Sequence, residues 1–161
     1  MRSVKIPLLE IAKWLMVILL VVWIAMHLGT GKISTAAFED VSAAVSGSTD
    51  TSIMTAGDNQ MIKRLYGLTP SDYEGTLLYC PTTNMGAEEI LLIKLTDVSQ
   101  QEAVKAAIDA RLATQLSNFD GYGVSQTEML NKAVIEIQGN YILFAVAADP
   151  EPSRQAFLGA L

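Results

Sequence analysis

The chain has one cysteine and one histidine in 161 residues, and only 17% of its residues are charged. A single Cys rules out an intramolecular disulfide framework and any multi-cysteine metal knuckle. A single His rules out a His-rich metal site. Because that residue is His27, nothing beyond residue 32 can form a Ser-His or Cys-His pair. Positive charge is also scarce: eleven Lys and Arg stand against 17 Asp and Glu, for a net charge of −6. That balance excludes an electrostatic nucleic-acid binder, which needs a basic surface. Soluble globular proteins carry about 25% charged residues, so a mean hydropathy of +0.31 and a charged fraction of 17% fit one soluble domain poorly.

What is present falls into two unlike pieces. Trp14 to Met26 is thirteen residues without a polar side chain, and at about 1.5 Å per residue covers only ~20 Å. Extended from Ile6 to Leu28, the run reaches ~34 Å, enough to span a bilayer. Glu10 and Lys13 then fall near one interface, where Lys13 can snorkel. Arg2, Lys5 and Lys13 precede or open the run and only Lys32 follows closely, which predicts the N-terminus inside and the remainder outside. Residues 1–32 are therefore expected to be a cytoplasmic stub and single-pass anchor, holding the membrane through 6–28. A cleaved signal peptide, with Ser34-Thr35-Ala36 as the small-residue site, is the alternative. Both readings place residues 33–161 outside the cytoplasm.

That second piece carries seven basic and sixteen acidic residues, a charge of −9, and is long enough to bury a core. Helices are expected over Thr35–Val45 and Met61–Tyr66, the latter stopped by Gly67. Strands are expected over Gly75–Cys80 and over Glu89–Leu95, whose aliphatic run suits burial on both faces. Ser99-Gln100-Gln101-Glu102 reads as a capping box opening the main helix, with Val104, Ile108, Leu112 and Phe119 as its core stripe. Gly121-Tyr122-Gly123 ends that helix. Gly139-Asn140 is a two-residue hairpin turn that sets Ile137 opposite Ile142 and Ile135 opposite Phe144. A short closing helix covers Ser153–Leu158. The expected fold is a two-layer α+β domain of about four mostly antiparallel strands with helices packed on the sheet.

Chemistry-bearing patterns are few. Gly29-Thr30-Gly31-Lys32 fails as a phosphate loop, because Met26 holds the first glycine position and Ile33 follows the lysine. Glu88 and Glu89 open a strand, where neighbouring side chains point to opposite faces and cannot share one ion. No metal or cofactor is expected, and no enzyme activity. The polar residues that stand out are Arg111, beside the stripe of the main helix, Gln115 one turn on, and Tyr122 just past its end. Arg111 either folds its stem over apolar surface and pairs with Glu88 or Glu89, or helps form a ligand or partner site with Gln115, Tyr122 and Glu89.

Several strings resemble a bacterial family known as domain of unknown function 4358. They are Leu65-Tyr66-Gly67-Leu68 leading to Asp72-Tyr73-Glu74, Met85-Gly86-Ala87-Glu88-Glu89-Ile90 followed by Ile93-Lys94, the set Arg111, Gln115, Phe119 and Tyr122 continuing to Gln126, Leu130 and Ala133-Val134, and Gly139-Asn140-Tyr141. The resemblance covers roughly Phe38 to Asp149. Similar proteins often carry Pro two residues after the tyrosine, where this chain has Val124. The resemblance implies a bacterial, exported domain, tethered by a membrane or lipid anchor, with no known activity and hence no catalytic residues to carry over. The leading expectation is an extracytoplasmic module of the bacterial cell membrane that binds an envelope protein or peptide. The alternatives are a small-ligand sensor using the Arg111–Gln115–Tyr122 side of the main helix, and an envelope hydrolase that relies on carboxylates alone.

Overall fold

The computed structural model describes residues 13–20 and 33–161. Residues 13–20 are helical; the rest of the expected 6–28 anchor, with His27, lies outside the described residues. Among the described residues no helix is long and apolar enough to cross a membrane. The domain itself falls within the compact unit Gly31–Leu161.

Its elements, in chain order, are α1 (Phe38–Gly47), β1 (Met54–Ala56), α2 (Asn59–Tyr66), β2 (Gly75–Pro81), β3 (Glu89–Lys94), α3 (Gln101–Phe119), α4 (Val124–Asn131), β4 (Val134–Gln138), β5 (Tyr141–Val146) and α5 (Glu151–Ala160). The strands form one sheet in the order β1-β2-β3-β5-β4, and every neighbouring pair is antiparallel. The fold is α+β, but with five strands rather than about four, and with helices on both sheet faces rather than in a single layer.

The aliphatic content of the central strands explains the extra layer. Every residue of β3 and of β5 is buried, so alternate side chains must enter two different cores. Leu91 and Ile93 of β3 and Ile142, Phe144 and Val146 of β5 face one way. They pack on Ile62 and Tyr66 of α2, Val104, Ile108 and Phe119 of α3, and Leu130 of α4. Ile90, Leu92, Tyr141, Leu143 and Ala145 face the other way, onto Val41 and Val45 of α1 and Phe157 of α5. Each fully buried Leu, Ile or Phe contributes roughly 1.5–3 kcal/mol.

Local signals set most boundaries. Asp58 caps α2 by accepting the Met61 N–H at 2.8 Å, and Gly67 ends it with φ of +69°, the left-handed cap that glycine adopts without penalty. The β4–β5 hairpin has the expected register, Ile137 opposite Ile142 and Ile135 opposite Phe144, turned by Gly139 at φ +56°. The capping box lies two residues earlier than the sequence suggests. Asp97 accepts the Ser99 N–H and Gln100 accepts the Asp97 N–H, because a 3-10 turn over Val98–Gln100 precedes α3.

Two elements have no sequence pattern of their own. β1 is three residues long with only Met54 buried, and exists by pairing with β2, Met54 opposite Pro81. In α4 only Leu130 is buried, so no apolar stripe announces it. Val124, where similar proteins often carry Pro, is its first residue, the helical position that best tolerates proline.

Candidate functional site

β3 reads Glu-Ile-Leu-Leu-Ile-Lys: an apolar strand with a charge at each end. Both charges are buried, Glu89 at 1% exposure and Lys94 at 7%, so each must find a partner. Since positions 89 and 94 differ in parity, they find them on opposite faces of the sheet.

Lys94 is satisfied on the face covered by α1 and α5. Its Nζ is ion-paired with Glu74, donates to the Ala36 carbonyl at 3.1 Å and sits 5.5 Å from the Tyr141 ring centroid. The Tyr141 hydroxyl donates to the same carbonyl at 2.8 Å. The Ser34 N–H donates to Asn140 Oδ1 at 2.8 Å, so this end of the sheet holds the segment by which the chain enters the domain.

Glu89 is satisfied on the other face and at the other end of the strand, about 17 Å away at ~3.4 Å per residue. Arg111 of α3 grips both carboxylate oxygens: Nε lies 3.1 Å from Oε1 and 3.2 Å from Oε2, and Nη2 lies 2.8 Å from Oε2. The Tyr66 hydroxyl at the end of α2 donates to Oε1 at 2.6 Å. One charge-assisted network thus ties α2, β3 and α3 together. Burial, reinforced by the Glu89 charge, pushes the Tyr66 hydroxyl well above its ordinary 10.0. Burial works against the Arg111 charge, but the Glu89 hydrogen bonds and charge outweigh it and leave the guanidinium firmly protonated.

Beside this network lies a pocket of about 300 Å³ between α2, the end of β2, the β2–β3 loop and α3. Arg64, Thr83, Asn84, Arg111, Gln115 and Asn118 bring its polar groups, while Leu65, Cys80, Gly86 and Phe119 are among its other walls. No Asp or Glu is among the lining residues. The Cys80 thiol donates to the Thr55 carbonyl at 3.6 Å, and burial raises it above its ordinary 9.0, so it stays a protonated wall group rather than a nucleophile. Among the described residues no cluster of three His, Cys, Asp or Glu is placed to hold a metal ion. What the pocket offers a visitor is two guanidinium groups, which only donate, and amide and hydroxyl groups that can donate or accept.

Of the residues singled out in the sequence, Arg111 and Glu89 meet directly, and Gln115 lies one turn along α3, 8% exposed, in the pocket wall. Tyr122 is not in that wall. It is 64% exposed, its ring centroid 6.0 Å from that of Phe119, outside the pocket. Of the two carboxylates proposed for Arg111, Glu89 takes the role; Glu88 accepts the neighbouring Ala87 N–H instead. Sequence reasoning missed Tyr66, Arg64 and Asn118. Tyr66 sits inside a string that carries the family resemblance, and Asn118 follows Gln115 by three residues, bonding it at 3.3 Å, a helical spacing that could have flagged it.

Three separate strings, those of Tyr66, Glu89 and Arg111, therefore converge on one network. Residues 47–147 match the protein family described as a domain of unknown function (DUF4358). The chain belongs to that family. No curated protein and no solved structure matches it. The DUF4358 match is narrower than the resemblance from Phe38 to Asp149: it spans all five strands and α2 to α4, and leaves outside α5 and all but the last residue of α1. The network and its pocket lie wholly within the match.

Proposed function

We propose that this DUF4358 protein is a non-enzymatic binding module of the bacterial envelope, tethered by its N-terminal apolar segment with the domain outside the cytoplasm, and that it captures a protein or peptide. The observation that carries this reading is the pocket beside Arg111 together with three exposed apolar side chains in the segments next to its walls. Met85, between two pocket residues, is 63% exposed, Tyr122 is 64% exposed and Val124 is 73% exposed. Gln126 of α4 donates to the Met85 carbonyl at 2.9 Å, which joins the loop that carries Met85 to the helix that Val124 opens, while the Tyr122 ring packs near Phe119 of the pocket wall. Amphipathic aromatics and methionine around a polar recess are what protein interfaces use as anchors. The Glu89–Arg111–Tyr66 network beneath serves as a rigid floor, its acceptors already occupied.

The test is capture of the partner from solubilised membranes by the full chain. Val124→Glu, on an exposed side chain, is expected to abolish capture without changing the melting temperature. Ala43→Glu on the opposite face is expected to leave capture intact. Equal capture by all three proteins would refute the reading.

A second reading, a small-ligand sensor using the Arg111 and Gln115 side of α3, draws support from the pocket volume of about 300 Å³, the lower end of the range for small-molecule sites. Tyr122, outside the wall, would not touch such a ligand. The absence of carboxylates from the lining speaks against a carboxylate-only hydrolase at this pocket.

A further inference from the structure

Resting on that reading, we infer that the group the pocket receives is a peptide carboxylate, of an acidic side chain or of a C-terminus. The inference comes from a local charge imbalance. The domain has sixteen acidic and seven basic residues, yet two of the seven, Arg64 and Arg111, line this one pocket and no acidic residue does. Their roles differ. Arg111 is neutralised by Glu89 through Nε and Nη2. Arg64 has no carboxylate within ion-pair distance among the described residues; its contact is the Met61 sulfur at 2.8 Å from Nη2.

Arg64 also borders a neighbouring recess lined by Asp58, but with no carboxylate in ion-pair contact it leaves the pocket one positive charge, which matches the single negative charge of a carboxylate rather than the near-double charge of a phosphate. The neutral groups around it fit the same guest. Gln115 accepts from Asn118 through Oε1, and among the described residues no fully buried side-chain nitrogen or oxygen lacks a partner. The Gln115 amide nitrogen, which bonds no protein group among the described residues, therefore keeps some access to solvent, on a residue that lines the pocket. A carboxylate held by the Arg64 fork and an amide donor from α3 replaces its lost water contacts with charge-assisted hydrogen bonds. The exposed Met85, Tyr122 and Val124 then receive the apolar neighbours of that residue in the peptide.

The test uses the full chain in detergent and fluorescence polarisation of four labelled tetrapeptides. One carries a Glu side chain and an amidated C-terminus, one is neutral with a free C-terminal carboxylate, one is neutral and amidated, and one is phosphoserine-bearing and amidated. One of the two carboxylate peptides is expected to bind at least about tenfold more tightly than the neutral amidated peptide, and Arg64→Ala to remove about that factor. Which carboxylate peptide wins tells a side-chain from a C-terminal source. Arg64 is exposed and unpaired, so its variant is expected to melt like the wild type, and Arg64→Lys to restore part of the binding. Equal binding of all peptides, insensitivity to Arg64→Ala, or preference for phosphoserine would overturn the carboxylate assignment. If Arg64→Ala leaves membrane capture intact while Val124→Glu abolishes it, only the carboxylate assignment fails. If neither variant affects capture, the binding-face reading fails with it.

Discussion

Among the described residues Arg111 holds the one carboxylate that has almost no access to water, with side-chain exposures of 11% for Arg111 and 2% for Glu89. Removing one partner from a buried pair strands the other charge, at a cost of about 3–5 kcal/mol, whereas replacing both with apolar groups of similar volume is often neutral. Arg111→Ala is therefore expected to lower stability by about that amount in urea melts, and Glu89→Leu combined with Arg111→Met and with Tyr66→Phe, which removes the hydroxyl that would otherwise lose its acceptor, to recover most of it. A triple variant no more stable than Arg111→Ala alone would show that the network's value lies in its hydrogen-bond geometry. The titrating groups near this network, together with Lys94 and Tyr141 on the opposite face of the sheet, add a pH dependence of known sign. Burial raises Tyr66, Tyr141 and Cys80, and the Glu74 hydrogen bond raises Lys94. As pH climbs past their ordinary values, from 9.0 for the thiol and 10.0 for the phenols, the unfolded chain sheds protons that the folded chain keeps. Stability contributed by these groups is thus fully present below about pH 9 and falls above it. Urea melts across this range are expected to show that decline, and Tyr66→Phe to make it shallower. At this scale the sequence was half legible. Arg111 and Glu89 could be paired by helix spacing and strand position, but Tyr66 joins them only through the packing of α2 on the sheet. Tyr122 stands beside them in sequence, yet its chain turns outward at Gly121, φ +83°.

The elements whose sequences carry their own instructions are the ones that were readable. The β4–β5 hairpin is the clearest, because alternation and a Gly-Asn turn demand the same register. Gly139 has a positive φ of 56°, which a β-branched side chain adopts only at a cost of order 1–3 kcal/mol. Gly139→Val is therefore expected to destabilise the domain by that amount in thermal melts, with the pocket residues otherwise undisturbed. β1 and α4 are the opposite situation. β1 gains its hydrogen bonds from β2, and α4 is held by Leu130 and by Gln126 to the Met85 carbonyl. Neither contact can be inferred from a window of a few residues. On α3 the line of buried residues runs Val104, Ile108, Gln115, Phe119. A search for apolar spacing passes over Gln115 and chooses the half-buried Leu112 instead.

For the molecule as a whole, the decisive feature is that β3 and β5 are buried on both faces. The apolar run of β3 hinted at this, but a count of helices could not say how they divide between the two sides. The division matters for what holds together. The segment that matches the family, 47–147, lacks α5 and nearly all of α1, whose Val41, Val45 and Phe157 cover Ile90, Leu92, Leu143 and Ala145. A fragment limited to 47–147 would expose that face to water, at roughly 25 cal/mol per Å² of apolar area. It is expected to aggregate or to lack a cooperative thermal transition, while 33–161 melts cooperatively. The same layering separates two tasks. One end of β3 fastens the entering chain through Lys94, Tyr141 and Ala36, and the other presents the Arg111 pocket with its apolar surroundings. The most direct measurement of whether that second end is the working face is photo-cross-linking in intact cells, with the reactive group placed at Val124 or, for comparison, at Ala43 on α1. One discrete adduct is expected from Val124 and none from Ala43 if it is. No adduct from Val124, or the same adduct from both positions, would contradict it.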